Sequence, residues 1–280
     1  MVYRGRRAAA RRGLLALLLS VGFHTAATRA IAADPLATVR AFCLADGRGT
    51  RLSPGTWGAV APFVGWALEP AWDHVYLVHG YELGTPRLRE GGLVDVEVSY
   101  TVVNIVDSTA ARPTWEVMSR TYTLEPAGGG EWRLRPPAPP PHVFESQADP
   151  EALAALLNVQ DSAYLSNSAF VWRLLRGAGW QVAFARTADL VTAPGYTAQR
   201  TANVGDLVVY LADGSPYHVG VVESDEGIVS ATLNGGIRRT PFDAFAGEIL
   251  YLRPSVSRTP TPSLTPDRPA TTPTKRRRKK

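Results

Sequence analysis

Cysteine is nearly absent from this chain: Cys43 is the only one in 280 residues. No intramolecular disulfide can form, so stability has to come from packed cores. Cys43 sits in the apolar helical stretch Val39-Arg40-Ala41-Phe42-Cys43-Leu44, the setting of a small buried hydrophobe. Lysine is almost as scarce. All three lysines lie within 275–280, against 27 arginines overall. Long apolar runs are missing too. The run at 14–23 is too short to span a bilayer comfortably, and no later stretch is long enough either.

The two ends differ in kind from the rest. Arg4, Arg6, Arg7, Arg11 and Arg12, the short apolar run and Ala30-Ile31-Ala32-Ala33 read as a secretory signal over 1–33, cleaved after Ala32 or Ala33. An uncleaved anchor is the other reading. Arg11-Arg12-Gly13-Leu14-Leu15 resembles a twin-arginine export signal. The expectation is an exported protein, extracellular or associated with the cell envelope, with no transmembrane helix after cleavage. Residues 255–280 are rich in Ser, Thr and Pro and end in a basic run, which predicts a disordered tail. That tail either contacts an anionic surface or is simply solvated.

The net positive charge comes from these ends. The formal net charge is +5, but residues 34–254 hold 16 basic and 24 acidic residues, a net of −8. The folded body is acidic, which argues against a specific nucleic-acid reader.

Between the ends, the sequence predicts an α+β protein of two domains. Residues 34–135 read as helix first, with Leu36, Val39, Phe42 and Cys43 at helical spacing. Trp57, Val60, Phe63 and Val64 suggest a second helical face, interrupted by Pro62. The period then changes to two. Val75, Leu77, His79, Tyr81 and Leu83 alternate, and so do Val94, Val96, Val98, Tyr100 and Val102. Met118, Arg120, Tyr122 and Leu124 form a further run, and Gly128-Gly129-Gly130 turns into a short strand at Trp132 and Leu134. This order of elements resembles the cone-shaped nuclear-transport-factor-2-like and polyketide-cyclase-like domains, whose open mouth binds ligands or partners. His74 and His79 have no carboxylate placed beside them by sequence, which suggests a rim role and no metal or acid–base site.

A Pro-rich hinge over 136–148 is expected to hold the second domain, 149–254, away from the first. That domain opens with a helix at 150–157, capped by Asp149 with Pro150 at its first position. Ser166-Asn167-Ser168 then caps an apolar helix through Phe170 and Val171, stopped by Gly177 and Gly179. Apolar strands follow at 204–211 and 217–222, with an Asp213-Gly214-Ser215-Pro216 turn between them. A hairpin at Asn234-Gly235-Gly236 and a closing strand at 249–252 complete the pattern.

The motifs of this second half resemble the NlpC-type cell-wall peptidases, papain-like enzymes, over residues 161–253. In that family the helix opens Asp-Cys-Ser-Gly-Phe-Val, where this chain has Ser166-Asn167-Ser168-Ala169-Phe170-Val171. Arg186-Thr187-Ala188, Val204-Gly205-Asp206-Leu207 and His218-Val219-Gly220 match later family segments in order. The family's third catalytic position, often His, falls on Ser230.

The resemblance implies a cysteine thiolate favoured by a helix N-terminus, a histidine base and a residue fixing its tautomer. Here Asn167 replaces the nucleophile and Ser230 the third residue, leaving His218 alone. A carboxamide cannot attack a carbonyl at a useful rate. The expectation is a catalytically degenerate domain that binds a peptidoglycan stem peptide or a similar amide, needing no cofactor and no metal. An active hydrolase would have to use Ser166 or Ser168 with His218, although a one-residue slip rotates a helical side chain by about 100°. A third reading makes the cone-like domain the binding part and the C-terminal domain its structural partner. If the family frame is kept, Asn167 and His218 face one cleft, and a cysteine placed at 167 becomes reactive.

Overall fold

A computed structural model describes residues 34–157 and 166–257. The expected signal peptide and the basic end of the tail lie outside the described residues. The fold is α+β, with helices packed on two six-stranded sheets. Among the described residues, no helix is long and apolar enough to cross a membrane.

Helix α1 spans Pro35–Gly47. Asp34 caps it by accepting from the Leu36 N–H, and Pro35 fills the first position, where no N–H is needed. The helix buries Val39, Phe42 and Cys43 against the first sheet. The second helical face expected at 57–64 is absent. Two 3₁₀ segments, Pro54–Ala59 and Ala61–Phe63, stand there instead. Pro54 and Pro62, with Gly55 and Gly58, supply too few hydrogen bonds and too much chain entropy for an α-helix.

The first sheet contains β1 (His74–Leu83), β2 (Arg87–Leu88), β3 (Val94–Asp107), β4 (Ala111–Pro126), β5 (Trp132–Leu134) and β6 (His142–Phe144), in the order β5-β4-β3-β1-β6, with β2 also on β3. In β3 the alternation holds: Val94, Val96, Val98, Tyr100 and Val102 are all buried in one cluster with α1. In β1 it breaks. The register with β3 shifts on both sides of Val78, so Val75 and Leu77 face one cluster and Val78 the other. A bulge re-aims side chains in this way.

The stretch expected as a spacer is built into the fold. β6 pairs with β1 in parallel, Tyr76 opposite His142 and Val78 opposite Phe144. Helix α2 (Pro150–Leu157), expected in the second domain, packs on the first sheet. Its Leu153 and Leu157 join Val75, Leu77, Val106 and Val143 in one core. The first lobe therefore runs through residue 157.

The second sheet is antiparallel throughout. It holds β7 (Tyr196–Gln199), β8 (Leu207–Ala212), β9 (Ser215–Val222), β10 (Gly227–Thr232), β11 (Gly236–Pro241) and β12 (Glu248–Pro254), ordered β11-β10-β9-β8-β12-β7. Helix α3 (Asn167–Gly177) lies on one face. Its Phe170, Val171 and Leu175 meet Leu207, Val209, Val219 and Val221. The other face buries Val208, Tyr210, Val222 and Ile228 under Phe245.

The lobes are docked through the strap 66–73, which leads into β1. Leu233 N donates to Glu69 O (2.8 Å) and Asn167 N to Ala71 O (2.7 Å). The Asn234 amide bonds both Ala67 O and Glu69 N. Ala71 is buried in the α3 core. Beneath the strap, Arg51 and Glu69 form a fully buried ion pair.

Candidate functional site

Three places are candidates for chemistry or binding. The first is the N-terminus of α3. Ser166 is its N-cap, and its hydroxyl accepts from Ala169 N (3.3 Å). The Ser168 hydroxyl donates to Asp73 Oδ1 (2.7 Å), and Ser168 N donates to the same oxygen (3.2 Å). Asp73 Oδ2 accepts from Thr187 N (2.8 Å). Asp73 comes from the first lobe, one residue before β1. The positive end of α3 is thus filled by a carboxylate from elsewhere in the chain, where the family resemblance would place a thiolate. Asn167 is only 1% exposed, and its Oδ1 has no partner.

The second place is β9. Its alternation separates His218 from α3. Val219 and Val221 pack on α3, whereas His218 turns to the opposite face and stacks on Phe245, ring centroids 3.7 Å apart. Tyr210 lies beside it at 5.7 Å. Ser230, on β10, is paired with Gly220 and so shares the face of His218. Gly220 is needed there: a Cβ would meet Ile228 Cδ1 at 2.7 Å and Val229 O at 3.0 Å. Both ring nitrogens of His218 and the Ser230 hydroxyl are buried without partners. Burial pushes the His218 pKa down to about 3.

The structure therefore brings His218 and Ser230 to one face and puts Asn167, Ser166 and Ser168 on the helix against the other. The single cleft that the family frame requires is not formed by these residues. A base poised for catalysis needs a pKa near the working pH and reach to a nucleophile. His218 has neither.

The remaining motif residues act as joints. In the Gly-Asp-Leu segment, Asp206 accepts from Arg253 Nε and Nη2, both at 2.8 Å, and from Asn203 N at 2.9 Å. Burial opposes its charge, but these donors hold its carboxyl below the ordinary range. In Arg186-Thr187-Ala188, Arg186 bridges Asp189 (2.7 Å) and Asp107 (2.8 Å), tying the lobes together again.

The third place is a cleft between the lobes, with a volume of about 670 Å³. Its walls come from the first sheet, from the proline stretch 136–140 and from the β8–β9 turn of the second sheet. Tyr217, Trp72, His74 and Tyr76 follow one another along it, with ring centroids 6.5, 6.5 and 5.2 Å apart. Four arginines line it, Arg112, Arg120, Arg135 and Arg186, against two acids, Asp73 and Asp213.

Sequence reasoning singled out Arg186 only as part of a motif and missed Asp73 and the roles of Arg112, Arg120 and Arg135 in the cleft. Asp73 carries no motif, and Arg120 stood out only as a member of an alternating run. Comparison with family models, with curated proteins and with solved structures finds no match to this chain.

Proposed function

We propose that this chain is an exported, non-catalytic binding protein. Its second lobe resembles an NlpC-type domain in motif order, and its first lobe resembles a cone-like domain. Its ligand is a cell-wall stem peptide or a similar amide, held in the cleft between the lobes. The observation that carries this reading is the Asp73 carboxylate at the N-terminus of α3. It engages the Ser168 hydroxyl while His218 faces away. Those residues offer no nucleophile–base pair, whereas the cleft offers 670 Å³ of space walled by rings and guanidiniums. Concave sites with aromatic walls and a few placed polar groups are the usual form of a ligand site.

Hydrolysis through Ser166 or Ser168 is the reading this geometry favours least. The test is calorimetry of the full chain against defined stem peptides, with mass spectrometry of the recovered peptide. The expected result is saturable binding and an intact peptide. Cleavage that disappears in His218→Ala would replace this reading with the hydrolase.

A specific observation favours giving the first lobe the larger share. Most of the cleft wall, including three of its four arginines, comes from residues before 141. Stem-peptide binding that survives changes at Tyr217 and is lost by changes at Tyr76 would assign the ligand to the first lobe.

A further inference from the structure

Arg120 lies on β4, at the same parity as Met118, Tyr122 and Leu124, which pack into the first core. It therefore points to the inner face of the sheet, where a charged residue needs a reason. Its Nε is buried and has no hydrogen-bond partner. The other cleft arginines are each paired: Arg112 with Asp107 at 3.0 Å, Arg135 with Glu125 at 3.2 Å, and Arg186 with Asp107 and Asp189. Arg120 makes no ion pair among the described residues.

The acids that could neutralise the cleft are largely committed. Asp107 is fully buried and already serves Arg112 and Arg186, with Thr109 and Ala110 on its other oxygen. Asp73 is taken by Ser168 and Thr187. The folded body has a net charge of −8, yet the cleft lining carries four arginines against two aspartates. Arg112, Arg135 and Arg186 are neutralised by their partners, so the uncompensated guanidinium among the described residues of the cleft is that of Arg120, and a cationic group in a cleft wall draws in anions. A guanidinium with free donors is suited to a planar oxyanion, which it can hold with two parallel hydrogen bonds.

We propose that Arg120 is an oxyanion receptor in the interlobe cleft, and that the ligand carries a carboxylate, or another oxyanion, on a body that packs against the Tyr76 and His74 rings. This rests on the cleft being the binding site, and it specifies the ligand as anionic. The aromatic wall provides contact area for the uncharged part, and Arg120 fixes which end enters first.

The test uses two small probes of the same shape, benzoate and benzamide, on the full chain at low salt. Calorimetry is expected to show benzoate binding at least tenfold tighter than benzamide in the native chain. Arg120→Gln should abolish that preference, and Arg120→Lys should restore part of it. Circular dichroism of each variant checks that the fold is kept. Equal affinity for the two probes in the native chain, which needs no variant, overturns the proposal. So does a benzoate preference that survives Arg120→Gln. Inorganic phosphate is the second arm. If phosphate displaces benzoate in the native chain, the receptor takes oxyanions in general; if it does not, the receptor is specific for carboxylates. The outcome is separable from the cell-wall reading. Benzoate held through Arg120 without any stem-peptide binding leaves the receptor standing and removes the wall peptide. A stem peptide that binds Arg120→Gln as well as the native chain does the reverse.

Discussion

The buried polar centres around Glu69 and around His218 differ in what surrounds them. Glu69 Oε1 accepts from Arg51 Nε (3.1 Å) and Trp72 Nε1 (2.6 Å), and Oε2 accepts from Trp66 Nε1 (2.8 Å). Arg51 also reaches Asp46, and only at that margin do polar atoms lack hydrogen-bond partners, namely Asp46 Oδ1 and the two ring nitrogens of the neighbouring His142. Around His218 the opposite holds. Its two nitrogens and the neighbouring Ser230 hydroxyl have no partner, and aromatic rings enclose it. Satisfied buried polar groups hold a structure in one arrangement, and unsatisfied ones cost stability. The first centre fastens the strap that joins the lobes. The second leaves the histidine of the His-Val-Gly segment without a hydrogen-bond partner.

The largest effect should come from the satisfied centre. Arg51→Met leaves Glu69 and Asp46 buried without their cation. Breaking a buried pair from one side costs about 3–5 kcal/mol. Urea unfolding should show a loss of that order, with the strap and the cleft opening together. A loss under about 1 kcal/mol would mean that the network is solvated and that the contrast with His218 is false.

The unsatisfied centre should respond with the other sign. His218→Leu removes an imidazole with no partners, so at pH 7 stability should stay level or rise by about 1 kcal/mol. Lower pH widens the gap. The folded pKa is about 3, below the ordinary value of 6.5, so between those limits the unfolded chain binds a proton that the folded chain does not. The native protein therefore loses stability as pH falls from 6.5 towards 3, by roughly 3 kcal/mol at pH 4 from this group alone. The variant escapes that loss. His74 and His142, whose pKa values burial also lowers, are present in both proteins and cancel in the comparison. Parallel stability curves from pH 7 to pH 4 would show that His218 is protonated in the folded state and has a partner.

The same contrast shows what could be read in the chain. β3 was legible because one of its faces is apolar and the other polar, so alternation alone fixes which residues are buried. β9 was legible as a strand but not as to face. Val219 and Val221 are buried against α3 and Val222 on the other side, so apolar residues occur at both parities. A shift of one residue then decides whether His218 meets α3, and nothing local sets it. α2 was legible as a helix, but its Leu153 and Leu157 would suit either sheet. His142-Val143-Phe144 is too short to stand out as a strand after a proline run. In the site, the order of the motifs was readable. The capture of the α3 N-terminus by Asp73 was not, because it joins residues nearly a hundred positions apart and rests on one carboxylate without a signature.

That capture gives the smallest and most specific prediction. Sequence alone suggests that Asn167→Cys creates a reactive thiol, since a helix N-terminus favours the thiolate. The structure predicts otherwise. The side chain at 167 is buried beside a residue whose backbone N–H is held by Asp73, and a carboxylate near a thiol disfavours its ionisation. The new thiol should titrate at or above the ordinary value of about 8.5. Adding Asp73→Asn removes the charge, keeps the side chain's size and leaves one oxygen to accept from either Ser168 or Thr187. The thiol pKa should then fall by about one unit, and the fold should lose about 1 kcal/mol, as when a cap is weakened. Thiolate absorbance followed against pH reads both variants. Cys43 gives no background, because burial pushes its thiol up to about 12. A thiolate formed readily at neutral pH in Asn167→Cys alone would show that Asp73 does not control the helix end, and that this end favours an anion more than its hydrogen bonds indicate.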